Sequence, residues 1–184
     1  MAEPAIRKLE QEVPELRVVW RAFELRPEPA PTLPPQGEYL TRVWRQVVYP
    51  MAERMGMPLR LPPVQPRSRL AHEAARFAAG HGSFKAFHQE LFRAFFQRGE
   101  DIGQVDVLVA LGESVGLDEA ALRQALAARE MEAEVAAEEE LAGRLGVHAV
   151  PAYVADRHRM VTGVQGVEEL RKFVLNHTDK GGRT

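Results

Sequence analysis

Val150 and Pro151 stand where a strand should begin, and two interpretations of a proline at that place are possible. Proline has no backbone N–H, so at the start of a strand it is tolerated where that backbone edge faces a ligand or where the preceding peptide bond is cis. In the alternative interpretation, Pro151 simply ends the preceding loop with a trans bond. Most X-Pro bonds are trans, so the spacing alone favours this alternative.

Three histidines, His72, His81 and His88, fall in one helical region, but Gly80 and Gly82 interrupt the regular spacing that a metal site requires. We therefore expect packed or solvent-facing histidines. His148 precedes Pro151 and could line a cleft, but no partner base, acid or nucleophile is implied. Neither catalytic residues nor metal ligands are predicted.

The acidic run "EMEAEVAAEEELAGR", at positions 130–144, is the other candidate for metal chemistry. Its alanines and its spacing indicate a charged, solvated helix face rather than a carboxylate cluster. Nor does the sequence contain a glycine-rich phosphate loop or a nucleophile elbow.

Composition excludes several classes of function. The 184 residues include no cysteine, which rules out a thiolate nucleophile, a disulfide or a cysteine-ligated metal within this chain. A net charge of -2 supplies no basic field for nucleic acid or anionic lipid. No apolar run approaches the roughly 20 residues of a membrane helix. We expect a cytoplasmic protein with neither a nucleic-acid nor a membrane partner.

The elements around these residues follow from periodicity. A helix is predicted over Ala2–Glu12 and a strand over Leu16–Leu25, before the proline-dense connector "RPEPAPTLPPQG". Helical spacing then dominates from Tyr39 to Gly146, with Asp118 as an N-cap. "PAYVAD" and "RMVTGV" predict a hairpin, "GVEELRKFVLNH" a final helix and "TDKGGRT" a frayed tail. The order indicates an α/β sandwich with a helical insertion.

Three stretches together resemble the DsbA-like thioredoxin superfamily, particularly the FrnE-type disulfide oxidoreductases. The C-terminal signature is matched by "GVHAVPAYV" followed by "MVTGVQGVEELRKF", the helical insertion by "LFRAFFQRGEDIGQVDVLVALGESVGLDEAALRQAL", and the second strand by "LRVVWRAFELRP". The resemblance implies an α/β thioredoxin fold, incomplete at the N-terminus, with a helical insertion domain. It divides the chain into 1–38 (first thioredoxin-like part), 39–146 (insertion) and 147–184 (second thioredoxin-like part).

The resemblance also assigns the site. Pro151 corresponds to the family's cis-proline, so a cis Val150–Pro151 bond becomes the expectation. The backbone of Val150 corresponds to the position that pairs with an extended substrate. The implied partner is a protein or peptide that carries a thiol or disulfide, with no cofactor. A homodimer is a further option, since an unpaired strand edge favours association.

The chain departs from the family where it begins. "MAEPAIRKLEQE" corresponds to a point just beyond the family's first strand and C-P-x-C motif, so neither the strand nor the two cysteines are present. We expect this chain to be inactive in thiol–disulfide exchange and to continue upstream in its complete form, because losing a central strand should cost more than the roughly 5–15 kcal/mol stability of a domain.

Two alternatives remain. One is a glutathione-dependent isomerase of the 2-hydroxychromene-2-carboxylate type, whose relatives carry serine in place of the first cysteine and for which glutathione would be the cofactor. The other is a redox-inactive module that binds peptides at the Val150–Pro151 edge.

Overall fold

The computed structural model describes residues 1–175; the predicted tail and the last two residues of the predicted final helix lie outside that range. The chain forms two compact units, one from residues 1–21 and 141–175 and the other from residues 22–140. The division into thioredoxin-like parts and a helical insertion at residues 38 and 146 stays a prediction. No helix within residues 1–175 is long and apolar enough to cross a membrane.

The first unit is a small α/β layer. Helix α1 (Glu3–Glu12) begins with Pro4 in its first turn, where the missing N–H leaves no hydrogen bond unmade. The other helix of this layer, α9, spans Val167–Leu175. The apolar faces of α1 and α9 meet in a core that includes Ile6, Leu9 and Leu170. The predictions of both helices are confirmed over the described residues.

The predicted hairpin is also confirmed. Strands β1 (Ala152–Ala155) and β2 (Arg159–Thr162) are antiparallel, with Tyr153 opposite Val161. The Arg159 guanidinium donates to the Phe173 carbonyl at 2.6 Å and lies 5.2 Å from the centre of that ring. This contact anchors β2 to α9.

The predicted strand over Leu16–Leu25 is wrong as a paired strand. Exposure alternates along residues 16–24 as in a half-buried strand, but the two-stranded β1–β2 sheet does not include this segment. Side-chain type and alternation specify an extended backbone with one buried face. A strand also requires a neighbour in hydrogen-bonding register, and residues 1–175 provide none for this segment.

The second unit is helical, as predicted. Its first helical stretch runs from α2 (Glu38–Val43) through a π-helical segment (Trp44–Val48) into α3 (Tyr49–Arg54). A second π-helical segment, Ala94–Arg98, directly follows the helix Phe84–Arg93. The remaining helices are α4 (Arg69–Gly80), α5 (Phe84–Arg93), α6 (Val105–Ser114), α7 (Glu119–Ala127) and α8 (Glu132–Arg144), the last four residues of which fall in the first unit.

Small residues bring these helices together. Ala71, Ala74 and Ala78 of α4 are fully buried, as are Phe87 and other large side chains that pack in the same core. A Cβ added at Gly112 of α6 would meet the end of the Leu122 side chain of α7, so a larger residue there requires Leu122 to move. Asp118 caps α7 by accepting the Ala121 N–H at 2.7 Å, which confirms the predicted N-cap.

Candidate functional site

Val150 and Pro151 immediately precede β1 in the first unit. The Val150 side chain is 45% exposed, and Pro151 is partly buried. The peptide bond between them is cis. An exposed branched residue and a partly buried proline thus stand side by side at the start of a strand.

A hydrogen bond from the other strand of the hairpin holds this loop. The N–H of Gly163 donates to the Pro151 carbonyl at 2.8 Å, and Gly163 has φ +83°, a conformation that side chains rarely adopt. Pro151 and Gly163 therefore extend the register in which Ala152 faces Thr162. The loop that contains Val150 is thus held by a glycine thirteen positions farther along the sequence.

The same register determines which backbone groups of β1 remain available. Hydrogen-bonded and non-hydrogen-bonded pairs alternate in an antiparallel ladder, so Tyr153 and Ala155 direct their N–H and C=O groups toward β2. Ala152 and Val154 direct theirs away from β2. Within residues 1–175, the backbone hydrogen bonds outside the β1–β2 ladder include none at Val150, Ala152 or Val154. We call this row of backbone groups, from Val150 to Val154, the β1 edge.

Tyr153 connects the β1 edge to the core. Its side chain packs against the α1 and α9 cluster. Burial raises the pKa of the Tyr153 hydroxyl, and contact with the Gln165 backbone opposes that increase. This phenol therefore stays protonated at neutral pH and serves the packing of the strand rather than acid–base chemistry.

The chemistry available at this site is hydrogen bonding by backbone. His148 is exposed, and no described ion pair or hydrogen bond fixes its ring. The chain contains no thiol. The site as described can align an extended chain but provides no nucleophile.

The three histidines predicted to be packed or solvent-facing lie in the second unit, where His81 is exposed and His72 and His88 are partly buried. His81 stacks on Phe77 with ring centres 4.2 Å apart, and His88 stacks on Phe84 at 5.2 Å. His72 is largely buried, and burial lowers its pKa while the Glu24 carboxylate opposes the decrease. Across the described part of the chain, no group of three or more metal-binding side chains occurs.

The prediction of a solvated face for the acidic run is wrong at Glu138. This carboxylate is buried, with 6% exposure, and accepts the Ala22 N–H at 2.6 Å. The adjacent Glu139 accepts the Glu24 N–H at 3.3 Å. The available sequence signal was that Glu138 lies three positions after Val135, which is also buried on α8, so the two share a helix face.

A cavity of about 200 Å³ also lies in the second unit, between Phe23, Phe95 and Ile102. The Glu24 carboxylate at its wall already accepts the Ser68 N–H at 3.0 Å and pairs with Arg69 at 3.4 Å. The Glu24 carboxylate is therefore already paired with groups of the protein. The β1 edge is the stronger candidate site.

Comparisons with known proteins find relatives of this chain in sequence and in structure. The chain is 31% identical over 170 residues to the uncharacterized protein YwbO of Bacillus subtilis, an alignment that covers 90% of this chain and 84% of YwbO. It superposes on the crystal structure of a probable DsbA oxidoreductase from Streptomyces coelicolor with a TM-score of 0.79 and 25% identity, covering 100% of this chain and 85% of the other.

The fold is also that of a 2-hydroxychromene-2-carboxylate isomerase, with a TM-score of 0.74 and 18% identity over 94% of this chain and 86% of the isomerase. The model of the DsbA-like thioredoxin domain matches residues 1–174. Because this match spans nearly the whole of the described chain, the chain belongs to the DsbA-like thioredoxin domain family.

Proposed function

We propose that this chain is the substrate-docking part of a FrnE-like, DsbA-type disulfide oxidoreductase. It binds an extended polypeptide that carries a thiol or disulfide at the β1 edge and does not itself exchange thiols. The observation that carries this proposal is Val150, an exposed residue with no backbone hydrogen bond within the described residues, beside a Pro151 carbonyl that accepts the Gly163 N–H. Membership of the DsbA-like family and similarity to a DsbA oxidoreductase support it.

The absence of cysteine limits what the chain can do. In thiol–disulfide exchange, a thiolate attacks one sulfur of a disulfide, a mixed disulfide forms and the other sulfur leaves as a thiolate. With no thiol among 184 residues, neither the attacking nor the resolving group is available here. Binding is therefore the property to measure.

Calorimetric titration with an extended, cysteine-containing peptide tests the proposal. We expect saturable binding to the 184-residue chain and several-fold weaker binding by Pro151→Ala. The residue before a proline is restricted to extended conformations, so removing the proline raises the entropic cost of presenting Val150. Pro31→Ala, in the exposed connector, is the matched control and should bind as the unaltered chain does. No binding by a folded chain, or measurable reduction of insulin disulfides by it, would overturn the proposal.

A glutathione-dependent isomerase is the second candidate. The similarity to the 2-hydroxychromene-2-carboxylate isomerase and the lack of any thiol support this candidate. At 18% identity, that similarity concerns the fold. Glutathione titrated into the same calorimeter decides between the candidates. Heat that saturates with glutathione but not with the peptide would favour the isomerase.

A further inference from the structure

The two π-helical segments of the second unit contact each other through aromatic rings. The Trp44 ring, in the first segment, lies 6.1 Å from the Phe96 ring, in the second. π-Helix is rare in globular proteins, and its short segments occur frequently at functional sites. Two such segments in ring contact therefore single out this part of the helical unit as a candidate site.

The first π turn determines which ring reaches the surface. The Tyr49 N–H donates to the Trp44 carbonyl, five positions earlier. On an α-helix, the side chains that neighbour each other are three or four positions apart. The wider turn brings the Tyr49 ring to 5.4 Å from the Trp44 ring in an edge-on contact. Trp44 is buried and Tyr49 is 42% exposed, so the buried ring supports the exposed one.

The row of rings continues onto the second π-helical segment and the helix before it. The Phe92 ring, which is also 42% exposed, stacks on the Phe96 ring at 5.9 Å. The Arg60 N–H donates to the Phe96 carbonyl at 2.9 Å, which joins the chain after α3 to this segment. Rings in contact thus lead from Phe92 through Phe96 and Trp44 to Tyr49. We call these four residues the aromatic surface.

Exposed apolar side chains of the second unit are concentrated around the aromatic surface. Within residues 22–140, the large apolar side chains that are exposed are Leu25, Tyr39, Val47, Tyr49, Met55 and Phe92. All except Leu25 belong to the aromatic surface or to residues 38–55, the stretch that carries Trp44 and Tyr49. Exposed apolar side chains that cluster on a soluble domain indicate an interaction site, whereas scattered ones do not. Tyrosine and methionine are also residue types that contribute strongly to binding.

The charge of the same segments specifies the partner. Residues 38–60 and 84–98, which carry the aromatic surface, contain seven arginine and lysine residues and three glutamates. These segments therefore have a net charge of +4, although the whole chain has a net charge of -2. Arg42, Arg45 and Arg54 are exposed and have no ion-pair partner among the described residues. Carboxylates of a bound polypeptide would supply the missing partners.

We propose that the aromatic surface binds an acidic, amphipathic segment of another protein, with apolar side chains on the rings and carboxylates toward the arginines. This inference goes beyond the proposed function, because it assigns a second binding surface, formed by the second unit alone. An anionic membrane is a poorer match. Glu38 and Glu53 are exposed among the same arginines, and the net charge of the chain is itself negative.

Fluorescence anisotropy with a labelled model peptide tests the proposal. The probe is a helical peptide of about fifteen residues, with leucine at every third or fourth position and glutamate and alanine between. A second probe has lysine in place of glutamate. We expect the glutamate probe to bind saturably and the lysine probe to bind about tenfold more weakly at low salt. Equal affinities, or no binding of the glutamate probe by the folded chain, would overturn the proposal.

Replacing an exposed ring tests whether the aromatic surface is the site. Phe92→Ala should weaken binding of the glutamate probe by about tenfold, because an exposed aromatic side chain is a typical anchor of an interface. Met160→Ala, in the first unit, is the matched control, since Met160 is 40% exposed. Its effect should be less than about twofold. Equal effects of the two substitutions, with both variants folded by circular dichroism, contradict the proposed location.

Reversing one charge gives a result that loss of folding cannot imitate. Arg45→Glu should weaken binding of the glutamate probe and strengthen binding of the lysine probe. Arg157→Glu is the control, because Arg157 is also exposed and has no ion-pair partner within residues 1–175. It should leave both affinities unchanged. If Arg45→Glu weakens both probes alike, the arginines do not select an acidic partner.

Two further measurements distinguish other occupants of the aromatic surface. We expect the chain neither to sediment with vesicles of phosphatidylcholine and phosphatidylserine nor to self-associate in analytical ultracentrifugation. Vesicle binding or self-association that Phe92→Ala abolishes would assign the surface to a membrane or to a second copy, and would overturn the proposal. Pro151→Ala should leave the affinity for the glutamate probe unchanged. If it weakens that affinity as much as Phe92→Ala does, the probe binds at the β1 edge instead.

Discussion

The Glu138 carboxylate accepts the backbone N–H of Ala22 at 2.6 Å, across 116 positions of the sequence. Both residues are buried, and Arg76 lies 3.5 Å from the other carboxylate oxygen. Together with the contact between Glu139 and the Glu24 N–H, this bond gives an extended segment two acceptors that a neighbouring strand would otherwise supply.

Replacing Glu138 with alanine should therefore destabilise the second unit. The change leaves the Ala22 N–H buried without its acceptor, and we expect the free energy of unfolding to fall by about 2 kcal/mol. Glu134→Ala is the matched control, because Glu134 also contacts Arg76, at 3.0 Å, but its side chain is 55% exposed. Its loss should cost less than about 1 kcal/mol. Urea unfolding of the two variants measures the difference, and equal losses would contradict this interpretation.

Arg129→Ala should destabilise the chain for a different reason. The guanidinium forms two hydrogen bonds to Glu73, at 3.0 and 2.7 Å, and the Glu73 side chain is only 1% exposed. Removing the Arg129 guanidinium leaves the buried Glu73 carboxylate without its cationic partner. Since Arg129 is itself 40% exposed, we expect about 2 kcal/mol rather than the larger cost of a fully buried pair.

The control for Arg129 is Arg123→Ala. Arg123 pairs with Asp106 and Glu119, both of which are exposed. Little change in thermal unfolding is expected, because the screened partners remain solvated. If Arg123→Ala proves as damaging as Arg129→Ala, burial of the carboxylate is not what makes the Glu73 pair important.

His72 should make stability decline in mild acid. Burial lowers its pKa below the ordinary 6.5, and contacts with Glu24, the Phe23 backbone and Glu138 only partly oppose this, while Arg69 reinforces it. The unfolded chain thus binds a proton at a pH where the folded chain does not, so the free energy of unfolding falls as pH drops below about 6.5. His72→Gln should flatten the unfolding free energy measured between about pH 7.5 and 6.

Glu139 acts in the opposite sense and in a lower range. Burial raises its pKa above the ordinary 4.5, against the influence of Arg69. The folded chain binds this proton first, which adds stability as pH falls toward 4.5. Restricting the His72 comparison to pH above about 6 separates the two groups. If the free energy of unfolding of His72→Gln changes with pH as steeply as that of the unaltered chain, His72 does not cause the loss of stability in mild acid.

Gly163→Ala should loosen the candidate site. The positive φ at Gly163 disfavours a Cβ by roughly 1–2 kcal/mol, and its N–H holds the Pro151 carbonyl. We expect lower stability and weaker peptide binding by calorimetry. Gly80→Ala is the control: Gly80 is helical, and a Cβ there would meet nothing within 4 Å. Stability should hold or rise in that variant. Full peptide affinity in a folded Gly163→Ala would show that the Pro151 loop does not depend on this bond.

Local pattern was sufficient for the helices and the hairpin. Helical spacing predicted α1 and α9, and alternation with a polar turn predicted β1 and β2, because each depends on residues within a few positions of one another. The family resemblance, carried by the stretch around Val150 and Pro151, predicted the fold class. Resemblance alone named these two residues as the site, and their role in binding stays a prediction.

Long-range contacts decided the rest. The Leu16–Leu25 stretch has the composition of a strand, but pairing depends on a neighbour that its own residues do not supply. The charge of Glu138 suggested solvent, whereas the structure buries it against an N–H contributed from position 22. Composition and periodicity thus determined which segments are helical and which have the alternation of a strand. Only the tertiary structure decided which backbone groups of these segments found partners. A hydrogen bond between residues distant in sequence requires the fold to bring donor and acceptor together, and local pattern does not specify that.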